Sequence, residues 1–177
     1  MIEQIKEITY RNFSLFICFF MILLLFTGCK QNNEIEITKH TIVYQTVETE
    51  GAVTQQTKYT VKYQDINNSQ YITKLIREIN YKNELIQEDE KLAIPELKKT
   101  FKKEYGDIDG VLVDFVERND GFVFVLETDL DKVSLEDFPY QIYNLNKKDF
   151  TENKKLKLKT ITNMLKESKF SILSENY

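Results

Sequence analysis

GVLVDFVERNDGFVFVLETD, residues 110–129, is the stretch on which the fold turns. Two runs of β-branched and aromatic residues flank Asn119-Asp120-Gly121, whose members tolerate positive φ, and this pattern predicts a β-hairpin. Val111, Val113 and Phe115 share one face of the first arm, and Phe122, Phe124 and Leu126 one face of the second. These residues are the predicted core, because side chains alternate across a strand and one face of a hairpin must be buried.

Upstream lie three segments of strand character. Thr41–Val47 is rich in β-branched residues and stops before Glu50-Gly51. In Thr57–Gln64 the residues Tyr59, Val61 and Tyr63 alternate with Lys58, Thr60 and Lys62, which marks a sheet with one dry and one wet face. The first two segments are expected to pair antiparallel around Gly51. Gln70–Tyr81 fits two periods. Tyr71, Thr73, Leu75, Ile79 and Tyr81 make a strand face, whereas Tyr71, Ile72, Leu75, Ile76 and Ile79 make a helix stripe with Ser69 as N-cap.

Between that segment and the hairpin, Glu88–Tyr105 reads as a helix. Leu92, Leu97, Phe101 and Tyr105 form its apolar stripe, Gly106 stands at the C-cap, and Pro95 either starts or kinks it. Lys98, Lys99, Lys102 and Lys103 make a basic face. It is read as solvated and matched to the helix dipole, with contact to anionic head groups or wall polymer as the alternative. After the hairpin, Asp129–Phe138 is acidic. It fails the calcium-loop order, since Val133 stands at the third ligand position and Ser134 replaces the glycine. A turn and a short helix capped by Ser134 and closed by Pro139 are expected instead. Gln141–Thr151 reads as irregular and Asn153–Lys159 as a short lysine-guarded edge strand. A last helix, Ile161–Ser168, is capped by Thr160 or Thr162 and buries Ile161, Met164 and Leu165. Phe170, Ile172 and Leu173 are expected to return to the core.

Chemistry is sparse. His40 is the only histidine and falls in the polar lead-in to the first strand, so it reads as a surface residue. No Ser/His/Asp arrangement, phosphate loop, Cys/His cluster or HExxH motif is visible. No catalytic residue, metal or cofactor is therefore expected, and a net charge of −4 argues against nucleic acid as a partner. A paired-carboxylate hydrolase stays open, as does an inhibitor of one.

The N-terminus carries an address. The run Phe13–Phe26 is apolar over about 14 residues, a helix of roughly 21 Å, short of the ~30 Å hydrocarbon core. That length fits a secretory signal. Phe26-Thr27-Gly28-Cys29 then resembles a bacterial lipobox, with Phe where Leu is usual. The resemblance implies diacylglyceryl transfer to the Cys29 sulfur and cleavage between Gly28 and Cys29, which would make membrane lipid the one implied partner. Two acyl chains hold stably where one holds marginally. Cys18 lies inside the run as a small hydrophobe, and with Cys29 consumed no disulfide remains possible. The expected organisation is a signal peptide over 1–28, a lipidated cysteine and polar tether over 29–40, and one domain over 41–177. The Lys-, Ile-, Asn- and Glu-rich composition points to an AT-rich Gram-positive genome, and so to the outer face of the cytoplasmic membrane.

The order of these elements resembles the YehR-like lipoproteins. It comprises the lipobox, two or three strands, the helix ending in Lys103-Glu104-Tyr105-Gly106, then Gly106-Asp107-Ile108-Asp109-Gly110-Val111, the hairpin, the Asp-rich turn and the MLKESKF helix. The resemblance covers Thr41 to Phe170, apart from the acidic stretch around Glu88 and the loop Pro139 to Thr151. It implies an α+β fold, with about five antiparallel strands against two or three helices, and it favours the strand over Gln70–Tyr81. It implies no established activity and no site residue beyond Cys29. A cell-envelope binding or structural domain is the leading expectation, with an apolar-ligand pocket between sheet and helices as a further one.

Overall fold

The strand pair expected around Gly51 forms and is longer than its sequence signal. β1 (Lys39–Glu50) pairs antiparallel with β2 (Val53–Ile66) along the whole length of β1, from Lys39 opposite Gln64 to Glu50 opposite Val53. The computed structural model describes residues 38–176. The expected signal peptide, the lipobox-like Phe26-Thr27-Gly28-Cys29 and nearly all of the expected tether lie outside the described residues. Ile37–Tyr177 is a compact unit by itself.

β3 (Ser69–Asn83) is a strand throughout. It turns back from β2 through Asn67 and Asn68, both at positive φ, as a two-residue hairpin favours. Its neighbours decide against the helix its periodicity also allowed: β3 hydrogen-bonds to β2 on one edge and β5 on the other. The predicted hairpin is β4 (Val111–Arg118) and β5 (Gly121–Asp129), with Phe115, Phe124 and Leu126 buried as expected. All pairings are antiparallel in the order β4-β5-β3-β2-β1-β6. The sixth strand, β6 (Ser171–Asn176), lies on the free edge of β1, so the sheet has one strand more than expected. Ile172 and Leu173 ride on it 51% and 57% exposed, and only Phe170 of that trio packs inward.

Layer order follows from the alternation. Ile42, Tyr44, Tyr59, Val61, Leu75, Phe124 and Leu126 face the helices and are buried. The opposite face stays wet and carries cross-strand ion pairs, Lys58 with Glu78 at 3.5 Å and Lys74 with Glu127. Such exposed pairs stabilise by only about 0.2–1 kcal/mol each. The larger contribution comes from the apolar side, at roughly 25 cal/mol per Å² removed from water.

α1 (Glu88–Tyr105) opens with Glu88, Asp89 and Glu90, where the helix dipole favours acids. It continues through Pro95, so that residue neither starts nor ends it. Gly106 caps it in right-handed geometry at φ −70°, not the left-handed one a glycine cap commonly takes. The apolar stripe is also corrected. Ile94 and Tyr105 are buried and Phe101 packs against the core, whereas Leu92 is 74% exposed. At ~100° per residue Leu92 stands ~200° round the helix from Ile94, and α1 has the sheet on one side only.

The rest of the helical layer departs from expectation more. Ser134 Oγ does accept the Asp137 amide at 3.2 Å, but the turn does not propagate into a helix. α2 (Tyr140–Tyr143) begins after Pro139 instead, a position that suits proline's fixed φ. Residues 153–159 form no strand. Leu156 and Leu158 are both buried, which gave the segment its alternation, but only single bridges form there, Phe150 with Leu156 and Tyr71 with Lys157. α3 (Leu158–Glu167) starts three residues earlier than predicted, with Lys157 rather than Thr160 or Thr162 at its N-cap. It buries Leu158, Ile161 and Leu165, with Met164 partly covered. Thr162 serves elsewhere: its Oγ1 lies 3.0 Å from the Tyr44 hydroxyl.

His40 is the last correction. It belongs to β1, not to the tether, and is 9% exposed. Its ring stacks on Tyr63 with centroids 5.0 Å apart, and Nε2 lies 3.0 Å from Asp65 Oδ2.

Candidate functional site

Two concavities stand at opposite ends of the sheet. The first is polar, near 370 Å³, at the end where β1 begins. Lys39, Lys62 and Lys74 meet Asp129 and Asp131 there, beside His40. Asp129 and Lys74 are engaged locally. Asp129 Oδ1 accepts the Asp131 amide at 3.1 Å, its Oδ2 lies 3.9 Å from Lys132 Nζ, and Lys74 donates to Glu127. That contact and nearby Asp129 hold the Lys74 ammonium above its ordinary range. Among the described residues no group of three or more His, Cys, Asp or Glu side chains is placed to hold a metal ion. The His40–Asp65 contact has the form of an orienting dyad, but the pair joins β1 to the end of β2 and stacks on Tyr63, a structural duty.

The second concavity is apolar, near 430 Å³, and lies between α1 and the far ends of β3 and β5. Its floor is built by the strands. Tyr81 stacks on Phe122 at 5.2 Å and Phe122 on Phe115 at 5.0 Å, both nearly parallel. Phe101 of α1 closes on Phe124 at 4.3 Å, which fixes the helix over the hairpin. Offset aromatic contacts of this kind are worth about 0.5–1.5 kcal/mol beyond their buried area. Ile86, Ile94 and Leu97 form the walls, and Ala93 and Thr100 stand at the mouth.

Asn83 positions the near wall. Its Oδ1 accepts the Leu85 amide at 3.0 Å and its Nδ2 donates to Glu90 Oε2 at 2.9 Å. Glu90 also accepts the Gln87 amide at 3.1 Å, as the capping-box arrangement requires. The loop carrying Ile86 is thereby tied to both β3 and the first turn of α1. Leu85 itself is 69% exposed. The rim is acidic: Glu90 and Glu96 line the opening, and Glu84, Glu88 and Asp89 lie in the same stretch, where Lys91 is the one cation between residues 84 and 96.

The sequence expectation of an apolar pocket between sheet and helices named no residues, and the structure supplies them. One signal was available: Leu85-Ile86 stands directly before an acidic helix start, and Ile94 and Leu97, three residues apart, share one helix face that Leu92 does not. Of the basic helix face, Lys98 is taken by Glu117 at 2.8 Å, while Lys99, Lys102 and Lys103 remain exposed. Both the solvated reading and the anionic-contact alternative require that exposure.

Among the described residues no helix is long and apolar enough to cross a membrane. Comparison with models of protein families, with curated proteins and with solved structures returns no match to this chain.

Proposed function

We propose that this chain is a lipid-anchored cell-envelope protein whose domain binds an apolar ligand in the groove between α1 and the β3–β5 end of the sheet. The observation that carries the reading is the groove itself: carbon-lined, near 430 Å³, floored by stacked Tyr81 and Phe122, and open to solvent. Ligand sites are typically concave, mostly apolar and built on rigid elements, with volumes of roughly 300–1,000 Å³. The lipobox-like Phe26-Thr27-Gly28-Cys29 and the YehR-like order of elements support the address. The reading assigns no catalytic step; in the polar cleft His40 lies against Asp65 and Asp129 accepts the Asp131 amide.

Two measurements test it. Processing should be blocked by globomycin, and Cys29→Ala should leave the precursor uncleaved; normal processing of that variant would overturn the anchor. Ala93→Phe should fill the mouth of the groove and abolish binding of a neutral apolar probe without lowering stability. Undiminished binding would overturn the site.

A further inference from the structure

We infer that the groove takes a cationic peptide segment, inserting one or two large apolar side chains while its lysines or arginines meet the acidic rim. This rests on the groove reading above and names the partner for it. The argument is charge complementarity around an apolar slot. Residues 84–96 carry Glu84, Glu88, Asp89, Glu90 and Glu96 against Lys91 alone. Glu88 is met by Lys91 at 2.9 Å and Glu84 by Lys82 at 3.0 Å, while Asp89 and Glu96 have no ion-pair partner among the described residues. Glu96 borders the opening directly, on the same side as Leu97 and Thr100.

An acidic first turn by itself is ordinary helix chemistry. Two of the acids here, Glu90 and Glu96, also line an opening whose floor is two stacked rings and whose lining includes exposed Leu97. An apolar anchor in the slot and cations on the fringe is the amphipathic groove mode of peptide recognition. A fatty acid would bring its carboxylate against these acids, which disfavours it. A second copy of the chain would bring its own acidic rim, with the same repulsion. The slot volume fits one or two large side chains rather than a long helix.

The chain contains no tryptophan, so a single tryptophan in a probe reports burial cleanly. The test uses the protein purified from membranes and reconstituted in phosphatidylcholine vesicles. It is titrated with acetyl-Lys-Trp-Lys-Leu-Lys-amide, with the same peptide carrying Gln for Lys, and with the same peptide carrying Glu for Lys. Blue-shifted emission is read against protein-free vesicles. The cationic peptide should bind about tenfold more tightly than the neutral one, and the anionic one more weakly than either. Raising the salt should narrow the gap. Glu96→Lys, on an exposed carboxylate with no ion-pair partner among the described residues, should erase most of the cationic preference. Ala93→Phe should abolish binding of all three. Equal affinities for the three peptides, an unchanged order in Glu96→Lys, or tighter binding of laurate than of the cationic peptide would overturn the cationic assignment and leave the groove standing. No binding by any probe would overturn both.

Discussion

The Tyr143 hydroxyl lies 3.0 Å from Thr128 Oγ1, in a place where both residues are fully buried. The same hydroxyl is 3.1 Å from the carbonyl oxygens of Leu75 and Leu126, on adjacent strands β3 and β5. One phenol from α2 thus reaches through the apolar layer and fastens the helical side to the middle of the sheet. Arg77 works alongside it, donating to the Ile142 carbonyl and lying over the Tyr59 ring at 5.4 Å.

Removing that hydroxyl leaves Thr128 Oγ1 buried without its partner. Tyr143→Phe should lose about 1–3 kcal/mol, the range for an orphaned buried polar group. Denaturant melts check this. A loss below a few tenths would mean the contact is not made. Binding at the groove should not change, since Tyr143 does not line it.

Burial pushes the Tyr143 phenol well above its ordinary value of 10.0, raises Tyr59 against the opposing pull of Arg77, and, together with Glu104, pushes Tyr105 up to about 12. Below about pH 9 both folded and unfolded chains keep these protons and stability is flat with respect to them. Above it the unfolded chain releases protons that the folded one retains, so stability falls as pH rises, by at most ~1.4 kcal/mol per pH unit for each such phenol. Denaturation midpoints at pH 8, 10 and 11 should decline slightly over the first step and steeply over the last. In Tyr143→Phe the decline should be shallower, and a wild-type midpoint still level at pH 11 would contradict the assignment.

Gly121 follows the hairpin turn at φ 153°, where a Cβ would lie 2.1 Å from the Tyr81 carbonyl oxygen. That oxygen is backbone and cannot swing aside. Gly121→Ala should therefore separate β5 from β3 under the groove and destabilise by about 2–4 kcal/mol, at the large end for a single substitution. It should also weaken binding of apolar probes there. A melting temperature within a degree of the parent would count against the close approach.

β6 is exposed at every residue and buries little, yet it covers the free edge of β1, whose run Thr41–Val47 is β-branched and apolar. Ending the chain after Phe170 should change stability modestly but expose a pairing edge. Light scattering should show self-association rising with concentration, and an unchanged monomer would show that the edge needs no cover.

Local chemistry determined a good deal from sequence. Alternation and turn residues were enough for the hairpin at residues 110–129 and the pair around Gly51, because a strand's period and its turn are written within twenty residues. The acidic start and basic end of α1 were legible for the same reason. The tertiary structure decided what depends on distant partners. Gln70–Tyr81 became a strand because β2 and β5 hold both its edges. Leu156 and Leu158 alternate without forming a strand because the helical layer, not a sheet, covers them. His40 is buried because Asp65 and Tyr63 of β2 close over it. The groove exists only because Asn83 ties the loop before α1 to Glu90, which leaves Tyr81 and Phe122 as an open floor, and a hydrogen bond across a loop has no period to read.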